Sequence, residues 1–168
     1  MATTIRTTYR AILANIQSHL STTLEMGTNL IIPTTEENPI PLAYTQQIYL
    51  RPDNPSPRND WIDSQGRYST VISRPLHVIL YSYLGVNPIH DQTNLLLDET
   101  NGHLVFEDRV LEHLIGYFPA DEEGNHLTLE ELKMAPSLKP HPPLPDKGWA
   151  RSIFVFAVQY TQDLTQTC

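Results

Sequence analysis

Seven histidines are the residues of this chain best suited to hold a metal or move a proton: His19, His77, His90, His103, His113, His126 and His141. No two of them stand three to five positions apart, the spacing that puts two zinc ligands on one turn. Asp98 to Asp108 and Asp121 to Glu131 have the carboxylate density of calcium loops. Neither has a glycine at its sixth position with a glutamate at its twelfth, so both read as turns that lead into helices. The seven glycines are scattered singly and build no phosphate loop, dinucleotide turn or nucleophile elbow. Serines, histidines and aspartates far apart in sequence can still converge in space, because triads are defined by geometry. The single cysteine, Cys168, is the last residue. It allows no internal disulfide, suits a reducing compartment, and has no neighbour that would activate it. The expectation is therefore a chain with no catalytic, cofactor-binding or metal-binding residues.

With 168 residues the chain is most simply one domain, residues 1–168, large enough to bury a core without disulfides. Its formal charge of −8 disfavours a general phosphate-binding surface. The N-terminus is too polar for a signal peptide, and no run reaches the ~18 apolar residues of a membrane span, so no membrane association is expected. Fourteen prolines against seven glycines cluster near residues 33–41, 52–57 and 136–145. Three long proline-rich arms follow, about 33–41, 51–66 and 136–148, and a polar tail closes the chain at 162–168.

The elements between these arms are legible from periodicity. Ile5, Tyr9, Ile12, Leu13, Ile16, Leu20 and Leu24 form the stripe of an amphipathic helix, with Thr3 and Thr4 as caps and Gly27 as its stop. Leu30 to Ile32, cut by Pro33, predicts an edge strand, and Leu42 to Leu50 a second strand whose polar middle implies partial exposure. Arg51 to Gly66 reads as a loop in which Trp61 and Ile62 serve as an anchor or as an interface hot spot. Arg67 to Leu84 predicts a long strand broken at Pro75 and paired with the final strand. Asp91 to Leu97 makes a short helical turn, Asn101-Gly102 a tight turn, and Phe106 to Phe118 a helix with acidic residues in its first turn and Pro119 as its stop. Asp121 to His126 is a turn, and Thr128 to Glu131 has the spacing of a capping box for a short helix to Met134.

The longest apolar run, Trp149 to Thr161, predicts the central strand, apolar and covered on both faces. A buried helix is the competing reading of so short a run. The sum is an α+β fold: a small mixed, mainly antiparallel β-sheet covered by an N-terminal helix and a second helix.

This order of elements, closed by GWARSIFVFAVQYT with Trp149, Ser152, Tyr160 and Thr161, resembles the tail terminator (tail completion, neck) proteins of tailed bacteriophages and related contractile particles. The resemblance runs over roughly Ile5 to Thr161. It implies a virion protein of the tail or neck, assembled in the host cytoplasm, that forms a ring, generally a hexamer. Such a ring caps the tail tube, stops its polymerisation and presents a surface to the head-side connector or stopper protein. Its implied partners are other copies of itself, the tube protein, the sheath protein if the tail is contractile, and genomic DNA passing through the lumen without sequence-specific binding. Two other readings stay open: a head-to-tail stopper or connector, and a small cytoplasmic ligand-binding or enzymatic α+β domain. Long exposed arms tend to carry contacts, so Arg51, Asp53, Arg58 and Trp61 in one arm and Pro140 and Pro143 in another are the candidate interface residues.

Overall fold

A computed structural model describes residues 8–62, 68–85, 90–135, 144–146 and 148–163. Its main sheet has the order β1-β2-β5-β8-β6, from β1 (Ile31–Pro33), β2 (Gln47–Pro52), β5 (Leu76–Tyr83), β8 (Trp149–Ala157) and β6 (Lys133–Met134). A short strand, β7 (Leu144–Asp146), pairs with the other end of β8. The β1–β2 pair is parallel and every other pair is antiparallel. A second sheet has the order β3-β4-β9, from β3 (Ser56–Ile62), β4 (Tyr68–Ser73) and β9 (Gln159–Asp163). The fold is α+β, as the sequence predicts.

Two helices share one face of the main sheet. In α1 (Thr8–Leu24), Tyr9, Ile12, Ile16, Leu20 and Leu24 of the expected stripe are buried and Leu13 is half-buried, while Ile5 lies outside the described residues. In α3 (His103–Leu114), Phe106, Val110 and Leu114 join them against Ile48, Leu50, Leu76, Val78, Leu80 and Phe156. Burying the four aliphatic side chains of the α1 stripe contributes on the order of 6–12 kcal/mol before conformational entropy is subtracted. Its stop differs from the expected one. Gly27 is extended (φ −62°), and the left-handed residue that ends α1 is Glu25 (φ 54°), held there while Ser21 bonds both backbone groups of Met26. The proposed caps, Thr3 and Thr4, lie outside the described residues.

The two longest strand regions run together through both sheets. Leu76 faces Phe156 in the main sheet and Ser73 faces Gln159 in the second, so the antiparallel register continues without a slip. Both chains break at the same level, at Pro75 and at Val158, where the Arg74 N–H donates to the Val158 carbonyl (2.9 Å). The predicted interruption at Pro75 is therefore a passage from one sheet to the other. Trp149 to Thr161 is likewise a bent strand rather than one central strand. Ala150, Ser152 and Phe156 are buried and Phe154 is half-buried on one face, while Trp149, Arg151, Ile153 and Val155 are half-buried on the other, where the cluster of Tyr49, Ile79, Tyr81, Trp149 and Ile153 includes no residue of the described helices.

Three further expectations are corrected. Residues 51–66 are not a plain loop, because β3 occupies Ser56 to Ile62 as an edge strand; Pro57 is tolerated there, and the register shift between Pro57 and Asn59 makes Arg58 a bulge residue. Thr128 to Met134 is not a helix. Leu132 is buried and exchanges backbone bonds with the 116–117 segment, and Lys133 and Met134 pair with β8, so tertiary pairing overrides the capping spacing. The later helix starts at His103 and ends before Gly116 (φ 79°), so its first turn has no acidic residue and Phe118 and Pro119 lie beyond it. Before it, α2 spans His90–Leu97.

Candidate functional site

The parallel β1–β2 pair needs a crossover, and residues 34–46 supply it without a helix. The segment is laid over the uncovered face of the sheet. Gln47, fully buried at the start of β2, holds it with both ends of its amide: Nε2 donates to the Ala43 carbonyl (2.5 Å), and Oε1 accepts from the Leu42 N–H (2.9 Å) and the Tyr49 hydroxyl (3.1 Å). The Tyr81 hydroxyl donates to the Pro39 carbonyl (2.9 Å), and an Arg151 Nη donates to that of Glu37 (3.2 Å). Burial pushes the Tyr49 and Tyr81 hydroxyls up, so they remain donors across the ordinary pH range. The polar middle of this stretch thus means satisfied loop backbone, where the sequence suggested exposure.

The consequence is an extended strip with two unlike sides. Pro39 is buried and Pro41 and Ala43 are half-buried toward the sheet, whereas Ile40, Leu42 and Tyr44 are 77, 77 and 81% exposed. The Tyr44 ring leans on Tyr83 (5.0 Å between centroids) and lies near parallel to Trp149 (6.3 Å, 17°). An outward face that is apolar at every alternate position is the reverse of a solvent-facing strand, and such patches on soluble proteins mark contact surfaces.

The residues chosen from the sequence fare differently. Arg51 is half-buried on β2, opposite His77 of β5. Asp53 is committed within the chain: its carboxylate accepts from the Asn54 N–H (2.7 Å) and meets His77 Nε2 (3.1 Å), its N–H donates to the Pro75 carbonyl (2.8 Å) and its carbonyl accepts from Arg74 Nε (2.8 Å). The Asn54 N–H, with His77 and Arg51, holds its carboxyl below the usual range. Asp53 fastens the passage between the two sheets, with its side chain 40% exposed. Arg58 and Trp61 sit on β3, with Trp61 opposite Ser69; their side chains lie outside the described residues, as do Pro140 and Pro143 altogether. Ile40, Leu42 and Tyr44 were missed, although the alternation of Pro39-Ile40-Pro41-Leu42 signals an extended segment with one apolar side.

One polar cluster has the makings of chemistry. His103, the first residue of α3, is wholly buried, with Nδ1 2.7 Å from Ser82 Oγ and Nε2 2.7 Å from Ser152 Oγ and 3.3 Å from Glu107 Oε1. Ser152 Oγ donates to Glu107 Oε1, which leaves that hydroxyl to accept from the imidazole, so Nε2 carries a hydrogen. Burial pushes the Glu107 carboxyl up, but hydrogen bonds from His103 and Ser152 and the charge of His103 outweigh it and hold the group below its ordinary value. Serine, histidine and glutamate follow here in the order of a hydrolytic triad. Ser82, His103 and Ser152 are all shut off from solvent, so the arrangement ties α3 to β5 and β8. Among the described residues, no three of His, Cys, Asp and Glu gather in a way that would hold a metal ion, and no helix is long and apolar enough to cross a membrane. No protein-family model matches the chain, and no match is found among curated proteins.

Proposed function

We propose that this chain is a structural subunit of a bacteriophage tail or neck, a ring-forming tail terminator that works by assembly rather than catalysis. The observation that supports an assembly role most directly is the strip of Ile40, Leu42 and Tyr44, exposed to solvent yet pinned to the sheet by Gln47, Tyr49 and Tyr81. A mobile apolar loop would lose ordering entropy on binding; a pinned one presents its side chains in place. The terminator reading adds the order of the elements and the pattern of Trp149, Ser152, Tyr160 and Thr161. On that reading the ring sits in the virion neck, meets the tube on one side and the head-side protein on the other, and passes DNA through its lumen.

The test is to mix the purified chain with isolated tail tubes and measure the mass of the bound species. A ring seated on tube ends is the expected result. A chain that ignores tubes but binds portal-bearing heads is a stopper, and a monomer indifferent to both with a defined small-molecule ligand is a ligand-binding domain.

A further inference from the structure

The sequence contains one Asn-Gly pair, Asn101-Gly102, in the turn between α2 and α3. After an asparagine, glycine is the residue whose backbone nitrogen is least hindered in attacking the side-chain amide, because it carries no Cβ. Other asparagines are shielded. Asn38 and Asn54 precede prolines, whose nitrogen has no hydrogen to lose. Asn15 Nδ2 donates to the Ala120 carbonyl (2.8 Å), and Asn125 Nδ2 to Asp121 Oδ2 (3.1 Å). The Asn101 side chain is exposed and makes no hydrogen bond among the described residues. The fold also keeps its neighbour a glycine, since a Cβ at Gly102 would meet the Asp98 carbonyl oxygen at 2.5 Å.

The attacking atom is nevertheless restrained. Gly102 is buried and its N–H donates to the Asp98 carbonyl (3.0 Å). Asp98 Oδ1 closes the turn from the other side, accepting from the Thr100 N–H (2.7 Å) and the Asn101 N–H (2.9 Å). Cyclisation requires the Gly102 nitrogen to lose its hydrogen and swing toward Asn101 Cγ, which breaks its bond to Asp98.

We infer that Asn101 is a covalent modification site gated by this turn: closed, the turn keeps the amide intact; open, it lets the Gly102 nitrogen close on the side chain, and the product unseats the start of α3. The Gly102 nitrogen bonds to Asn101 Cγ, the Cγ–Nδ2 bond breaks, and ammonia leaves with the hydrogen of the backbone nitrogen. Water then opens the cyclic imide. Attack at Cγ gives an ordinary aspartate; attack at the main-chain carbonyl gives isoaspartate, whose backbone runs through Cβ and Cγ and is one atom longer. In the isoaspartate the carbonyl that accepts from Gln46 Nε2 (3.2 Å) becomes a free carboxylate, so the tie to the root of the exposed strip changes. The added atom lies just before His103, whose ring fits between Ser82 and Ser152 at 2.7 Å from each. Both the strip and the seat of α3 therefore depend on one amide.

The experiment incubates the full folded chain and a synthetic peptide of residues 98–104 side by side at mildly alkaline pH. Peptide mapping follows the mass gain at residue 101 and separates aspartate from isoaspartate. The folded chain should react at least about tenfold more slowly than the peptide, because only the open fraction of the turn reacts. Asp98→Ala, which removes the acceptor of the Thr100 and Asn101 N–H groups, should speed the folded-state reaction several-fold with unchanged circular dichroism. Chain converted in urea and refolded should give an isoaspartate form that melts at least about 4 °C below wild type, whereas Asn101→Asp, with the charge but not the longer backbone, stays within about 2 °C. A folded chain that reacts as fast as the peptide overturns the gate, as does Asp98→Ala reacting at the wild-type rate. An isoaspartate form that melts with Asn101→Asp overturns the unseating of α3.

Discussion

His103 Nε2 and Ser152 Oγ lie 2.7 Å apart in the core, and through them the first turn of α3 is bonded to β8 of the main sheet. Ser82 completes the bridge from the other ring nitrogen (2.7 Å). Removing the imidazole leaves the buried Ser82 hydroxyl without its partner, at about 1–3 kcal/mol, while Ser152 keeps Glu107. With the cavity left by the ring added, His103→Ala should lower stability, read from urea titration, by about 2–5 kcal/mol. The double replacement H103L/S82A should cost less than His103→Ala alone, since it refills the space and deletes the orphaned hydroxyl while Ser152 keeps Glu107. Equal or larger loss in the double variant would mean that packing, and not hydrogen bonding, governs this seat.

Glu107 makes the same seat depend on pH. Its carboxyl titrates below the ordinary value of about 4.3 in the folded chain, so the unfolded chain binds its proton first as pH falls. Its contribution is complete above the unfolded value and is lost as pH drops through the folded one. Asp53 acts in the same direction, so the difference between wild type and Glu107→Gln isolates Glu107. That difference, from denaturant titrations, should shrink as pH falls below about 4.5. A difference that does not change with pH would contradict the assignment.

Two backbone positions should respond in opposite senses. Gly102 has an ordinary φ of −66°, but a Cβ there would lie 2.5 Å from the Asp98 carbonyl oxygen and 2.7 Å from that of Leu95. Both contacts are with backbone, which cannot swing away, so Gly102→Ala should destabilise by at least about 1–3 kcal/mol. Glu25 is a non-glycine residue in the left-handed region, and Glu25→Gly relieves that strain. Its melting temperature should rise or stay level, and a clear fall would show that the Glu25 side chain has a role of its own.

Gln47 is the pin of the exposed strip. Gln47→Leu keeps the bulk but removes three hydrogen bonds, to Leu42, Ala43 and Tyr49. Amide exchange at Leu42 should accelerate, proteolysis should nick near residues 40–45, and stability should fall by about 1–3 kcal/mol. Unchanged protection of Leu42 would show that Tyr81 and Arg151 suffice to hold the segment.

Periodicity made α1 and β5 readable, because each depends on which face of its own element is apolar, and Pro75 marked the interruption between β4 and β5 because it removes a ladder donor. What it did not reveal is set by distant partners. β3 is hidden in RPDNPSPRNDWI because its ladder is provided by β4 and its one proline, Pro57, sits on an edge. Lys133 and Met134 are a strand only because β8 runs beside them. Gln47 and His103 look like surface residues in a linear reading, and are buried because the carbonyls and hydroxyls that satisfy them come from elsewhere in the chain. Of the contact residues read from the sequence, Asp53 is tied into the passage between the sheets while its side chain stays 40% exposed, and the apolar strip is divided between the proline-rich stretch 33–41 and the start of the predicted strand Leu42 to Leu50.

The most direct measurement is the length distribution of tail tubes polymerised in the presence of the purified chain, followed by electron microscopy. The account predicts that substoichiometric protein halts growth, that a ring marks one end of each tube, and that the I40S/L42S/Y44S variant does neither. Tubes that lengthen unchecked, with no protein at their ends, would contradict it.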